Sequence, residues 1–575
     1  MASQKTDRGF HHTLLPSLSL DDNVWDFQVP NLPSPSTLKK ANLNKTLGLQ
    51  TDLKECKRSM ILRVQPNTPN RVTAGHPTDR LMLFSLEAFK PLIFGAAAKE
   101  RQAAPDLQPR TRQEVSDYSI KCLHAGMILN GVHYNFYRHS NTQLKPRSCF
   151  LMAATKEEIS KQIERIGDVT KMKTVGKKAK RICLLFSSSK TAMIINPGRC
   201  EDIPDIETDD HVFTNGFGLI APSLAQDRYT QSVFQLRYQG YKGVVTVDPR
   251  MKKQKALLKL RKSMKKLNGG DGYSFAVVKH SKPFSHGFLN DEIIILLHAL
   301  GISQETLLSK QRHHFNLLNN AEYDFCDAFR FLSYVNRPDL AERVLLEGLE
   351  RVKPQINGQI NDELKKMLNK QAGQKCRIFV HKSRILFGMC DAWDVLKEGE
   401  CAVKVTLEEN GLPHALKNTE IIVVERPELS HLVDCIVFST RGRRPAADLM
   451  SGGDLDGDTF FVSWDPDLIP STVSAPVLYP GGREPIQFRP ITDDDLLVYF
   501  AKYQNASLGQ VKSLYLDWAR VAGPMSAQCQ ELNRLFSQCV DGNRIEIPGK
   551  LRTAPKLLPD APPFIIDVLH DDGKE

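Results

Sequence analysis

Residues 451–464 read SGGDLDGDTFFVSW. Asp454, Asp456 and Asp458 fall within five residues, with Gly452, Gly453 and Gly457 around them. In an extended chain, side chains at i, i+2 and i+4 share a face. The spacing therefore predicts that all three carboxylates aim at one point. Gly457 has no Cβ and lets the backbone bend tightly there. TFFVSW then predicts a strand that anchors the loop in a core. Three converging carboxylates repel one another unless a cation sits among them, and oxygen donors favour Mg²⁺ or Ca²⁺. A helix–loop–helix calcium site does not fit: the glycine precedes Asp458, Thr459 stands where that motif has its glycine, and a strand pattern follows. A solvated acidic turn is the commoner alternative, but a turn tip does not normally run straight into FFVSW. Mg²⁺ uses a few carboxylates together with substrate phosphates. The cluster thus points to nucleotidyl or phosphoryl transfer.

Such chemistry needs cations to meet phosphate. LRYQGYKG places Arg237 and Lys242 on or beside a strand. From Lys242 to Lys266 there are ten Lys or Arg and one Asp. Most of these lysines read as a solvated basic face, yet so dense a cluster suits a phosphate-binding surface. Arg441, Arg443 and Arg444 lie just upstream of the aspartates, and guanidinium groups bind phosphate well. The motifs G-x-x-x-x-G-K-[ST], H-E-x-x-H and G-x-S-x-G are absent, which excludes P-loop NTPase chemistry and the zinc-protease and hydrolase signatures.

The chain has 575 residues, enough for several domains, with 41% hydrophobic and 25% charged residues, so it is globular in class. Its net charge of +11 permits a polyanionic partner. The 12 cysteines are scattered without a C-x-x-C pair, which fits reduced thiols. MASQKTDRGFHH lacks the apolar core of a signal peptide. EIIILLHALGI is too short to span a bilayer. The expectation is a soluble intracellular protein, nuclear or cytoplasmic, with no membrane partner.

Along the chain, residues 1–55 read as loosely ordered, with VPNLPSPSTLKKANLNK showing no period. Asn130-Gly131 predicts a hairpin. Thr155 and Glu158 predict a capped amphipathic helix at TKEEISKQIERIGDVTKM. ARICLLFSSSKTAM, from Ala179, reads as a buried strand. β texture runs from about 211 to 278, helices from about 289 to 369, β texture again from Cys376 to Ser463, and helices from about Asp493.

Taken together, SGGDLDGD with its aromatic strand and WDPDLIP resembles the catalytic loop of the eukaryotic cellular RNA-dependent RNA polymerases of RNA silencing. HVFTNGFGLIAPSLA, LRYQGYKGVV and LRKSMKKL resemble that family's first barrel. PFSHGFLNDEIIILLHALGI resembles the helix leaving it, and SRILFGMCDAWDVLKEGECAVKV the start of the second barrel. GVHYNFYRHSNTQLK resembles the N-terminal slab; SLGQVKSLYLDWARVAG and CQELNRLFSQCVD resemble the neck helices. The resemblance implies an α+β fold with two double-psi β-barrels joined by a helical linker. Its expected divisions are a loose start at 1–55, a slab-like domain at 56–205, a basic first barrel at 206–288 and a helical linker at 289–372. A second barrel with the Asp loop at 373–470 and a neck-like region at 471–575 follow. It implies that Asp454, Asp456 and Asp458 hold catalytic Mg²⁺, or Mn²⁺. Arg237, Lys242 and Lys266 would face nucleotide phosphates or RNA, with Arg443, Arg444, Gly452 and Gly453 as further binding residues. The implied reaction copies a single-stranded RNA template into double-stranded RNA from NTPs, with RNA-silencing proteins as partners. The chain departs from the family pattern at Lys145, at Asn543, and across ENGLPHALKNTEIIVVERPELSHLVD, where His414 is a loose match. Two alternatives remain: a catalytically weak or inactive RNA-binding scaffold of the same origin, and a DNA-templated polymerase subunit. Against the latter stands the presence of both barrels in one short chain.

Overall fold

The computed structural model describes residues 3–6, 9–14, 26–29, 31–40, 43–52, 57–66, 70, 72–86, 112–144, 146–187, 190–226, 231–269, 273–367, 376–407, 411–416, 423–450, 452–479, 484–503, 508–540, 545–557 and 561–573. Lys145 and Asn543 lie outside them. Local signals explain the first elements. Thr155 opens the helix Lys156–Ile166 with a full capping box: its hydroxyl accepts from the Glu158 amide at 3.2 Å, and the Glu158 carboxylate accepts from the Thr155 amide at 3.0 Å. Asn130 and Gly131, at φ 49° and 75°, turn strand Met127–Leu129 back into Val132–Arg138. These strands belong to a nine-stranded sheet among the described residues. Leu497 and Phe500, from the late helix Asp493–Tyr503, complete its core.

Two expectations fail in this part of the chain. Within residues 1–55, Leu43–Asp52 is a ten-residue strand paired along its length with Lys57–Pro66. The Pro- and Ser-rich stretch before it masked the alternation of Leu43, Leu47 and Leu49. ARICLLFSSSKTAM does not start as a strand: Val175–Cys183 is helical, and pairing begins only at Lys190–Ile194. Gly176, Ala179, Ile182 and Cys183 are buried at helical spacing, so the apolar run is the end of an amphipathic helix.

The middle of the chain forms two curled half-barrel sheets. The first holds β1 Lys190–Ile194, β2 Cys200–Ile203, β3 Phe217–Ile220, β4 Val233–Tyr238, β5 Tyr241–Val247, β6 Leu258–Arg261 and β7 Ser274–His280, in the order β1-β7-β4-β5-β3-β6-β2. Two of its strands precede residue 206, the boundary expected from the sequence. β3 runs parallel to β5, and β2 to β6; β4 and β5 form a hairpin with Arg237 opposite Lys242. The second sheet holds β8 Ser383–Cys390, β9 Cys401–Thr406, β10 Pro413–Ala415, β11 Cys435–Phe438 and β12 Thr459–Ser463, in the order β10-β9-β11-β8-β12. Here β8 runs parallel to β11. Between the sheets come helices Asp291–Ala299, Gln304–Asn320, Phe325–Tyr334, Pro338–Glu347 and Leu349–Met367.

One apolar core is common to both sheets. Phe217, Leu219 and Val244 of the first pack with Leu386, Met389, Val437 and Phe460 of the second. Burying such side chains contributes about 1.5–3 kcal/mol each, which locks the sheets face to face. Polar contacts cross the same seam. The Ser232 hydroxyl accepts from the Val433 amide at 2.9 Å, and the Arg250 guanidinium lies 5.2 Å from the Trp393 ring. Among the described residues, no helix is long and apolar enough to cross a membrane.

Candidate active site

The hairpin register decides where the cations go. Directly opposed residues of an antiparallel pair share a face, as do residues two apart on one strand. Gln235, Arg237 and Lys242 therefore occupy the face of the first sheet that looks toward the second. The loop between Met450 and Thr459 meets that face, because Leu455 is buried in the common core and its amide donates to the Asn215 carbonyl at 3.2 Å.

At this meeting point Lys242 Nζ donates to both carboxylate oxygens of Asp456, at 2.7 and 2.8 Å. Lys266 Nζ stands 3.7 Å from Asp456 Oδ2. Gln235 Nε2 donates to the Asp456 carbonyl at 3.3 Å. The loop also holds itself: the Asp456 amide donates to Asp454 Oδ1 and the Asp454 amide to Asp458 Oδ2, each at 2.9 Å. The carboxylates thus do not all aim at one point. Asp456 turns to the lysines, while Asp454 and Asp458 each accept a backbone N–H. Among the described residues, no three His, Cys, Asp or Glu side chains are already grouped as a metal cage.

Two glycines make the approach possible. A Cβ on Gly216, at φ 84°, would lie 2.3 Å from the Asp456 Cβ. A Cβ on Gly457, at φ 139°, would lie 1.8 Å from Gln235 Nε2. A side chain at Gly216 would drive into the loop itself, whereas one at Gly457 would displace the Gln235 amide, and both φ values are ones that residues with a Cβ rarely adopt. Gly216 is itself fixed from below. Its amide donates to the Ser263 hydroxyl at 3.1 Å, and Asp205 accepts from the Ser263 hydroxyl at 2.6 Å and the Thr214 hydroxyl at 2.8 Å.

Burial and proximity set the protonation preferences. Burial, then the adjoining Asp456 carboxylate, pushes the Asp454 carboxyl up. Burial would push Asp456 up too, but Lys242 and Lys266 outweigh it and its carboxyl is held below the ordinary range. Burial lowers the Lys266 ammonium, against the pull of Asp456.

Arg237 is buried and donates to the Leu236 carbonyl at 2.8 Å. Arg444 is engaged within the protein: it pairs with Asp448 and donates to the Asp448 and Val477 carbonyls at 3.0 and 3.1 Å. Arg443 is exposed. Gly452 is exposed at φ 72°, and Gly453 packs under the Ala447 carbonyl and the Phe460 ring. His414 lines a cavity of about 560 Å³ inside the second sheet. Sequence reasoning missed Gln235 and the Asp205–Thr214–Ser263 brace. Gln235 carried a signal, two residues before Arg237 on a strand and hence on the same face; the brace joins residues too far apart to show one.

A sequence model of the family described as RNA dependent RNA polymerase matches residues 57–574. The chain belongs to the RNA-dependent RNA polymerase family. Among its relatives, it is 29% identical to probable RNA-dependent RNA polymerase 1 of Oryza sativa subsp. japonica, over 84% of this chain and 69% of that protein. It is 30% identical to RNA-dependent RNA polymerase 2 of Arabidopsis thaliana, over 78% of this chain and 44% of that protein. It is 28% identical to RNA-dependent RNA polymerase 1 of Schizosaccharomyces pombe, over 76% of this chain and 40% of that protein. The chain thus spans less than half the length of the latter two. The fold is similar to that of RNA dependent RNA polymerase QDE-1 from Thielavia terrestris, with a TM-score of 0.69 and 16% identity over 94% of this chain and 71% of that one.

Proposed function

We propose that this chain is an RNA-directed RNA polymerase that copies single-stranded RNA into double-stranded RNA by nucleotidyl transfer, in the setting of RNA silencing. The observation that carries the reading is the contact of Lys242 with Asp456, which brings the basic face of one sheet onto the aspartate loop of the other. Family membership supports the same conclusion. In this reading the curled sheets are the paired double-psi barrels, the nine-stranded region is the slab, and the helices after Asp493 are the neck. Asp454, Asp456 and Asp458 would hold a divalent ion, Mg²⁺ or Mn²⁺. The donor set fits: it is all oxygen, and a carboxyl pushed up by burial and by the adjoining carboxylate is one that a cation stabilises in charged form. Bound there, the ion supplies charge neutralisation at the reacting phosphate.

The protein's own groups do the rest. Lys242 and Lys266 face the triphosphate, and Gln235 holds the loop backbone at a fixed height over the sheet. The RNA 3′-hydroxyl oxygen forms a bond to the NTP α-phosphorus as its proton passes to water, the bond from the α-phosphorus to the bridging oxygen breaks, and pyrophosphate leaves with its electron pair. The common core beneath the loop keeps the reacting atoms in register.

The test is incorporation of labelled NTP on single-stranded RNA with Mg²⁺. The intact chain extends RNA, and Asp456→Ala reduces the rate by at least about 10²–10³-fold. Binding of RNA by both proteins with incorporation by neither would make the chain an RNA-binding scaffold. Equal use of DNA as template would defeat the assignment to RNA copying.

A further inference from the structure

The helix Val175–Cys183 belongs to the N-terminal region, yet it is seated against the active-site sheet. Its Ala179 and Ile182 share a buried cluster with Leu267, the neighbour of Lys266. Just before the helix, the Asp168 amide donates to the Asn268 carbonyl at 2.9 Å, joining the same turn. The helix is also pinned by a later segment. Glu484 accepts from the Lys177 amide at 3.0 Å and lies 3.7 Å from Lys180, while Lys178 donates to the Ile491 carbonyl at 2.8 Å. The Lys178 and Lys180 side chains are thus spent on structure, and Lys177 is exposed. Arg181 is partly buried, and its Nε has no hydrogen-bond partner among the described residues. Asp456 and Lys266 are its electrostatic neighbours.

We propose that Arg181 is a third cationic contact for the triphosphate of the incoming nucleotide, delivered by the N-terminal region to the pocket formed by Lys242, Lys266 and the aspartate loop. The inference rests on the polymerase reading. Lys242 from a strand and Lys266 from a turn meet Asp456, and Arg181, from a helix packed beside Leu267, has the same carboxylate as an electrostatic neighbour. A nucleic-acid backbone spreads its charges along a line, whereas a triphosphate concentrates them at one place. A planar guanidinium with an unused buried N–H is suited to bind such a group through paired hydrogen bonds.

Equilibrium binding of GTP, and separately of a single-stranded RNA oligonucleotide, is measured for the intact chain, Arg181→Gln, Arg181→Lys and Lys180→Gln. Arg181→Gln weakens GTP binding by about 10- to 100-fold and leaves RNA binding within twofold. Arg181→Lys recovers part of the loss, and Lys180→Gln, on the same helix, binds GTP as the intact chain does. Unchanged GTP affinity in Arg181→Gln overturns the proposal. An equal loss of RNA affinity overturns it too, and makes Arg181 an RNA-backbone contact. A lowered unfolding midpoint in Arg181→Gln with normal GTP binding by Arg181→Lys transfers the role to packing and likewise overturns it. Because the readout is binding, failure of the intact chain to incorporate NTP sinks the polymerase reading without deciding the role of Arg181.

Discussion

The first sheet and the aspartate loop meet at one carboxylate but hold their charges by different means. Arg237 and Lys242 are cross-strand partners within a regular ladder, so their side-chain directions follow from register. Asp454, Asp456 and Asp458 stand on irregular backbone, held by two amide-to-carboxylate bonds inside the loop and a few contacts to the sheet below. A ladder distributes the task of placing a side chain over many bonds; a loop concentrates it in a handful. The acidic half of the site should therefore be the fragile half, and its weak points should lie in the sheet beneath as well as in the loop.

The sharpest way to break this contrast is Gly216→Val. No carboxylate is removed, but a side chain at φ 84° drives into the Asp456 Cβ. A displacement of about 1 Å in a catalytic group costs about 10²-fold, so NTP incorporation should fall by that much or more, while the unfolding transition stays cooperative. Near-normal incorporation would mean that the loop position is not set from below. Next comes Lys242→Gln, which keeps the ladder and removes one charge. Loss of a charged hydrogen bond corresponds to about 1.5–3 kcal/mol, or about 10- to 100-fold, read as a raised KM for NTP. The smallest effect on activity is expected of Thr155→Ala, remote from both halves. Loss of an N-cap costs about 1 kcal/mol of stability, seen as a lower denaturation midpoint with unchanged incorporation per folded molecule.

The same contrast explains what the sequence could and could not disclose. The loop and its strand were legible because their pattern is local: alternating aspartates, a glycine, then aromatic residues. The hairpin at Asn130-Gly131 was legible for the same reason. Lys242 and Asp456 are 214 residues apart, and no local pattern pairs them; that juxtaposition entered only through resemblance. Arg444 is engaged with Asp448 within the protein. Its four-residue spacing to Asp448 announces a helical ion pair, and its closeness to the aspartates points to phosphate. The helix at Val175–Cys183 was misread because ICLLF, taken alone, fits a buried strand as well as the end of a helix. That error came from weighing apolar run length over periodicity.

The 214-residue separation also imposes an order on synthesis. At about 5–20 residues per second, the basic hairpin leaves the ribosome about 10–40 s before the carboxylate that will neutralise it. During that interval the nascent chain displays Lys242 and Lys266 with no acid opposite them, beside a messenger RNA and a ribosome made largely of phosphate. Arrival of the aspartate loop therefore does more than complete a site. It closes a period in which the growing chain is open to adventitious capture by the RNA around it, and it places an early-folding cation under the control of a late-folding anion.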